Sequence, residues 1–420
     1  LRRRGLSCRI RNSFFGFALS ITVLYRYDSR IGPAPPVNPP MLFSSPRAAI
    51  MAVFAAFGAM VGTFAGSVPQ IIGNYGLNNA SYGVGVTVMP ATTVAAMGLS
   101  GVLARHFSHR HLLLALLPAS LILLAMLLTG TLSLVFFAAV ILYGFASGAT
   151  DVIMNAEGGQ IEVTIGKPIY TAFHGSVSLS VAVFAIVSSI LSTKYGTWAS
   201  LLAASLAVSF AMLLVFRNIT HNRLEPIDTI VRAKSGLLVQ FTLPLILMGL
   251  VAGLVIASEI AALFWSSKLL AEMAPDIAVI SGLGAAFFGL CNAIVRFPGD
   301  RLRARFGDIP LMSATILVAI GGFAGLGMTD GFVLNVIFFA MTGMGLALIC
   351  PCLFAMASRE TPANRAAGLG VSMLVAGVPR IIALTAFGAI AEAFAIRLAF
   401  GLCAVLLLIA FAVIRLLARN

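Results

Sequence analysis

Asp151, Asn155 and Glu162 stand at offsets of four and eleven residues in the segment ATDVIMNAEGGQIEVTIGKPIYTAFHGSVSLS. On a continuous helix they project at about 0°, 40° and 20° and share one narrow stripe. Gly158 and Gly159 leave the continuity of that helix open. The chemistry of such a stripe is hydrogen bonding and proton carriage: Asp151 and Asn155 can bond a hydroxylated solute, and Asp151 or Glu162 can hold a proton between states. Alternatively these carboxylates form a latch, capping helices or pairing with Lys167 and neighbouring arginines. His174, in the same segment, can donate, accept and titrate near neutral pH, or serve as a neutral packing bridge.

Four further charges are unusual for their apolar surroundings. Glu259 lies 22 residues into a run shared with Trp265, which puts it toward the outer end of that span and makes it a coupling candidate. Arg380 is 14 residues into another run, about 21 Å along a helix and near the membrane midplane. A charge there is costly unless paired or hydrated, so Arg380 is the strongest binding-cavity candidate, an ion pair locking two helices being the alternative. Arg296 and Asp300, four apart at the end of an apolar run, suit a gate pair.

Enzymatic readings find no support. Asp151, His174 and a serine make no hydrolase triad, because no nucleophile elbow accompanies them. Cysteines at 8, 291, 350, 352 and 403 lack disulfide or zinc spacing, and Cys350, Pro351 and Cys352 sit in an apolar run as packing material. No GxxxxGK[ST] occurs, so nothing points to ATP, and neither cofactor nor metal is expected.

The elements that must position these residues follow from composition. Of 420 residues, 27 are Lys or Arg, 14 are Asp or Glu, and 60% are hydrophobic. Soluble domains carry about 25% charged residues. Too few charges are present to clothe a soluble core of this size, so the chain is all-α and polytopic, and its +13 charge marks topology rather than nucleic-acid affinity. Apolar runs predict twelve spans, at 48–69, 83–104, 112–130, 133–155, 169–192, 197–216, 237–261, 277–297, 309–328, 332–355, 366–390 and 394–416. With the N-terminus inside, twelve loop Lys or Arg fall on the cytoplasmic side and only Lys194, Lys268 and Arg397 outside. That bias puts both termini in the cytoplasm.

The polar interval 217–236 divides residues 48–216 from 237–420, giving two six-helix bundles joined by a cytoplasmic linker. A weak internal repeat agrees: Gly101–Arg110 and Arg296–Gly307 superpose at an offset of 195 residues. Residues 1–47 differ. Their basic start, short apolar stretch at 14–24 and IGPAPPVNPP predict a disordered cytoplasmic extension, or sequence upstream of a true start at Met41 or Met51. Gly58, Gly62 and Gly66, like Gly144 and Gly148, provide small-residue faces for close helix packing. Pro90, Pro118, Pro244, Pro351 and Pro379 fall inside spans and can bend them.

These features resemble the major facilitator superfamily. GVLARHFSHR and RFPGDRLRARFG are similar to its repeated loop signature, Asp300 being retained while Arg105 stands where an acidic residue is usual. DVIMNAEGGQIE, followed by GKP and FHGSVS, resembles the bacterial YbjJ/MosC-like branch, as do Glu259 with Trp265, RFPGD and GMGLALICP. The resemblance covers residues 48–416 and departs from the branch around Pro379 and Arg380. It implies a bacterial inner-membrane transporter, working as a monomer, that moves a polyol- or inositol-amine-like solute by alternating access. Acidic groups within apolar spans make a proton gradient the economical coupling source. On this reading Asp151, Asn155, His174, Glu259 and Arg380 form the solute or proton path, and Arg105, Glu162, Arg296 and Asp300 the gates. A broad exporter of amphiphilic compounds and a nontransporting membrane sensor are the alternatives.

Overall fold

A computed structural model describes residues 45–165, 169–219, 241–360 and 365–418. The described residues fall within one compact unit. The first half comprises α1 (Pro46–Gly66), the short α2 (Val68–Tyr75), α3 (Asn79–His106), α4 (His109–Thr129), α5 (Ser133–Ile165), α6 (Tyr170–Tyr195) and α7 (Thr197–Asn218). The second comprises α8 (Leu243–Met273), a 3-10 turn (Pro275–Ile280), α9 (Leu283–Arg296), α10 (Gly299–Phe306), α11 (Asp308–Met328), α12 (Phe332–Leu346), α13 (Ile349–Glu360), α14 (Arg365–Ala393) and α15 (Ile396–Leu417). No strand occurs among the described residues. Most of the linker expected at 217–236, with the extension up to residue 44, lies outside the described residues.

Local chemistry sets the helix starts. Ser45 caps α1 by accepting from the Ala48 amide at 3.2 Å, Asn78 caps α3 by accepting from Ser81 at 2.8 Å, and Ser108 does the same for α4. Gly196 and Gly307, at φ +92° and +77°, take the left-handed turns before α7 and α11, where a Cβ would be strained. Within the first half, α1 lies directly on α6. A Cβ on Gly58, Gly62 or Gly66 would stand 2.2 to 2.6 Å from the carbonyl oxygens of Val177, Val181 and Ala185. This glycine stripe is packing inside one half, since both helices belong to it.

Among the described residues eleven helices have the length and apolar character to cross a membrane. α3, 28 residues long, occupies the second predicted span. Three predicted elements come out differently. The seventh span runs from Leu243 to Met273 rather than 237–261, so Glu259 is mid-helix rather than near an outer end. Pro244 sits in the first turn of that helix, where its missing N–H costs nothing, instead of bending an interior. The tenth span is interrupted at Ala347 and Leu348 between α12 and α13, whereas Pro90, Pro118 and Pro379 lie inside continuous helices.

Candidate functional site

Arg296, the last residue of α9, joins three other elements. Its Nη2 donates to Glu259 Oε1 of α8 at 3.3 Å, its Nη1 to Ser178 Oγ of α6 at 3.2 Å, and its Nε to the Ala347 carbonyl at 3.2 Å. That carbonyl is free because the residue four places on is Pro351, which has no N–H to return. The interruption of the tenth span thus creates the acceptor that fixes the guanidinium. Ser178 belongs to the first half, so Arg296 ties the halves together. Its hydroxyl can donate in turn to Asn292 Oδ1 at 3.2 Å or the His174 carbonyl at 3.3 Å. Asn292 is 2% exposed, and its side-chain amide also faces the Glu259 carboxylate.

α5 continues unbroken through Gly158 and Gly159 to Ile165, so the predicted stripe forms. Asn155 Nδ2 donates to Asp151 Oδ1 at 2.9 Å and to the Asp151 carbonyl at 2.8 Å, while Tyr170 donates its hydroxyl to Asn155 Oδ1 at 2.5 Å. Glu162 accepts from the backbone amides of Ile169 and Tyr170 at 2.8 and 2.7 Å. It therefore caps α6, the capping arrangement among the readings of the sequence, and the carboxylate charge suits a helix start. Lys167 lies outside the described residues. His174 is packed by rings, edge-on to Phe54 at 5.3 Å and tilted against Tyr170 at 5.1 Å. Along α6, Tyr170, His174 and Ser178 are each four residues apart, so one helix face leads from the Asp151 cluster to Arg296.

Arg380 is on the opposite side of the interface. It reaches from α14 to α3 and donates to the Pro90 carbonyl at 3.3 Å. This is the last in an antiparallel ladder between the halves. Asn79 donates its backbone amide to Glu392 at 2.7 Å and its side-chain amide to the Ala391 carbonyl at 3.0 Å; the Cβ positions of Gly83 and Gly388 face one another's backbone; and Thr385 meets Thr87 at 3.5 Å. Other bonds between the halves lie toward this same end: Tyr82 to the Phe264 carbonyl and Ser267 to the Ala65 carbonyl, both 2.7 Å, while Ser189 donates to the Val279 carbonyl and accepts from the Gly282 amide, both at 3.0 Å, and meets Ser281 at 3.2 Å. Trp265 is fully buried there against Tyr82 and Phe387. The molecule is thus sealed at the end away from its arginine-rich turns.

At the arginine-rich end, Arg296 and Asp300 take separate partners, because the chain turns at Phe297 and Pro298 between them. Asp300 faces Arg303 at 3.5 Å, and Arg303 Nε donates to Asp308 at 2.9 Å, which Arg359 of α13 also contacts. Burial opposes the Arg303 charge, but the hydrogen bond and charge of Asp308 outweigh it and hold the guanidinium above its usual pKa. A cavity of about 620 Å³ opens beside this cluster, lined only by the second half. In the first half His109 Nδ1 meets Glu157 at 2.9 Å. Arg105 lies in α3, and its side chain is outside the described residues.

Sequence reasoning passed over Tyr170, Ser178, Asn292, Asp308 and the His109 to Glu157 pair. Tyr170 and Ser178 were legible from their four-residue spacing about His174; Asn292 is one helical turn before Arg296. The Asp308 partnership left no local signal, since Arg359 is remote in the chain.

Two helical halves meeting along polar and glycine-rich faces make a fold that superposes on those of solved membrane transporters. A solved nucleoside transporter, NupG, matches with a TM-score of 0.72 and 14% identity over 88% of this chain and 99% of that one. A solved D-xylose–proton symporter matches with a TM-score of 0.66 and 13% identity, over 87% and 96%. Among curated proteins, an uncharacterised MFS-type transporter of Yersinia pestis is 28% identical over 377 residues, 88% of this chain and 94% of the relative. Membrane protein MosC of Rhizobium meliloti is 25% identical over 349 residues, 80% of this chain and 81% of its own length. No family model matches the sequence. The names of these relatives support a transporter of the major facilitator superfamily, from a bacterial branch.

Proposed function

We propose that the chain moves a small polar, polyol- or sugar-like solute across the bacterial inner membrane by alternating access, as a monomer coupled to the proton gradient. The halves are residues 48–216 and 237–420, α3 completes twelve spans, and both termini and the linker are cytoplasmic. The observation that carries the reading is Arg296. One guanidinium holds Glu259 in its own half and Ser178 in the other, so parting the halves must exchange the Ser178 bond for another acceptor. A solute hydroxyl is such an acceptor, which makes occupancy and gate state interdependent. Asp151 and Glu259 serve as the proton carriers, with Asn155 and His174 beside the path. Arg105, Glu162, Arg296 and Asp300 belong to gating, Glu162 by fixing the start of α6 and Asp300 through Arg303 and Asp308. The polar residues along α6 support this reading over an amphiphile exporter, because the large aromatic cluster around Trp265 is packed into the seal rather than lining open space.

The test is flux in liposomes of fixed protein orientation, with solute and pH followed together. Asp151→Asn should abolish pH-driven accumulation while solute counterflow persists. Normal pH-driven accumulation in that variant, with insertion verified, would reject the proton role of Asp151. Orientation is tested separately by membrane-impermeant labelling of Arg223→Cys and Arg415→Cys in intact cells, where reaction of both from outside would invert the topology.

A further inference from the structure

Resting on the reading of the chain as a polar-solute transporter, we infer that its solute is an anion, a small hydroxylated carboxylate whose charge is taken by Arg380. The charges along the interface are unequally compensated. Arg296 has Glu259 at 3.3 Å, and its three nitrogens are all engaged. Arg380 is the sixteenth of the 29 residues of α14, deep within a span, yet no carboxylate lies within ion-pairing distance of it among the described residues. Of its five N–H donors, one goes to the Pro90 carbonyl at 3.3 Å, and the buried Nε has no partner. A guanidinium in a membrane interior without a counter-charge is held at a cost that a bound anion would relieve.

Position favours a ligand as the missing counter-charge. Arg380 ends the ladder between α3 and α14, so the sealed part of the interface lies on one side of it. On the other side, toward the arginine-rich end, a Cβ on Gly377 or Gly370 of α14 would meet nothing within 4 Å. Arg380 is itself partly exposed. A planar fork of donors matches a carboxylate better than a lone hydroxyl, which could not neutralise the charge. A neutral polyol would leave Arg380 uncompensated when the site closes, and a cationic amine would be repelled.

The experiment compares D-gluconate, myo-inositol and D-glucosamine as hydroxylated probes of negative, zero and positive charge, using the full chain in liposomes. Counterflow of gluconate at least tenfold above the other two is expected, with Arg380→Gln losing at least tenfold of that preference and Arg380→Lys keeping part of it. The wild-type ranking tests the inference even where Arg380→Gln fails to insert. Transport of myo-inositol or glucosamine in preference to gluconate overturns the anion inference and leaves the transporter reading standing. Equal loss for all three probes in a correctly inserted Arg380→Gln, with altered cross-linking between Asn79→Cys and Glu392→Cys, also overturns it by making Arg380 a latch. Absence of counterflow for every polar solute tried, with insertion verified, rejects the transporter reading on which it rests.

Discussion

Pro351 supplies Arg296 with a hydrogen-bond acceptor by withholding a donor. The Ala347 carbonyl has no N–H to receive from position 351, and Arg296 Nε occupies it at 3.2 Å. A sequence feature that reads as a helix bend is, in three dimensions, the anchor of a charge on another helix. The anchor matters because the same guanidinium holds Glu259 and the opposite half.

Replacing Pro351 by Ala should therefore separate stability from function. The restored N–H returns the Ala347 carbonyl to its own helix, adding about 1 kcal/mol, a typical net hydrogen bond. Arg296 loses its Nε acceptor, and transport should fall several-fold while thermal unfolding in detergent moves upward. An unchanged melting temperature together with wild-type counterflow would show that the carbonyl is not what positions Arg296.

Glu259 and Arg296 should be strongly non-additive. Each keeps about a fifth of its side-chain surface exposed, 17% and 20%, which places the cost of removing one partner near the low end of the range for buried pairs, about 3 kcal/mol. Arg296→Gln strands the carboxylate and Glu259→Gln strands the guanidinium, whereas the double variant strands neither. Melting temperatures should recover in the double variant by half or more of the larger single loss; additive losses would mean that the two groups are not coupled.

The seal formed by α3 and α14 depends on two glycines that meet across the halves. A Cβ on Gly83 would stand 2.6 Å from the Gly388 Cα, closer than packing permits, and the neighbour is backbone that cannot swing aside. Gly388→Val should hold the ladder apart and bias the molecule toward the form open at this end. Disulfide formation between Asn79→Cys and Glu392→Cys is expected to drop several-fold, while insertion and the α1 to α6 packing are retained. Undiminished cross-linking in that background would show that the ladder tolerates separation at its middle.

Much of this architecture is legible in the chain. Apolar runs of about twenty residues must become helices in a membrane, because no water is available to satisfy a free backbone. The stripe of Asp151, Asn155 and Glu162 follows from helical periodicity alone once α5 proves continuous, and Asn155 duly bonds Asp151. The glycines at 58, 62 and 66 announce a close helix contact by their spacing. Composition and periodicity are local properties, and these conclusions need nothing more.

Partner choice is not local. Sequence proximity suggested Arg296 with Asp300, but the turn at Phe297 and Pro298 directs Arg296 inward to Glu259 and leaves Asp300 with Arg303. Gly83 and Gly388 are 305 residues apart and acquire their meaning only when α3 lies antiparallel to α14. Glu259 changed depth because its helix runs on through an apolar stretch and the i,i+4 ion pair of Lys268 and Glu272 to Met273, beyond the run that marked its expected end. A membrane interior fixes how many residues a span needs, and so the sequence by itself determines helices, faces and the cost of each buried charge. Which buried charge meets which is decided by helix packing, since the energy of an ion pair depends on a separation of a few ångströms that only the tertiary structure sets.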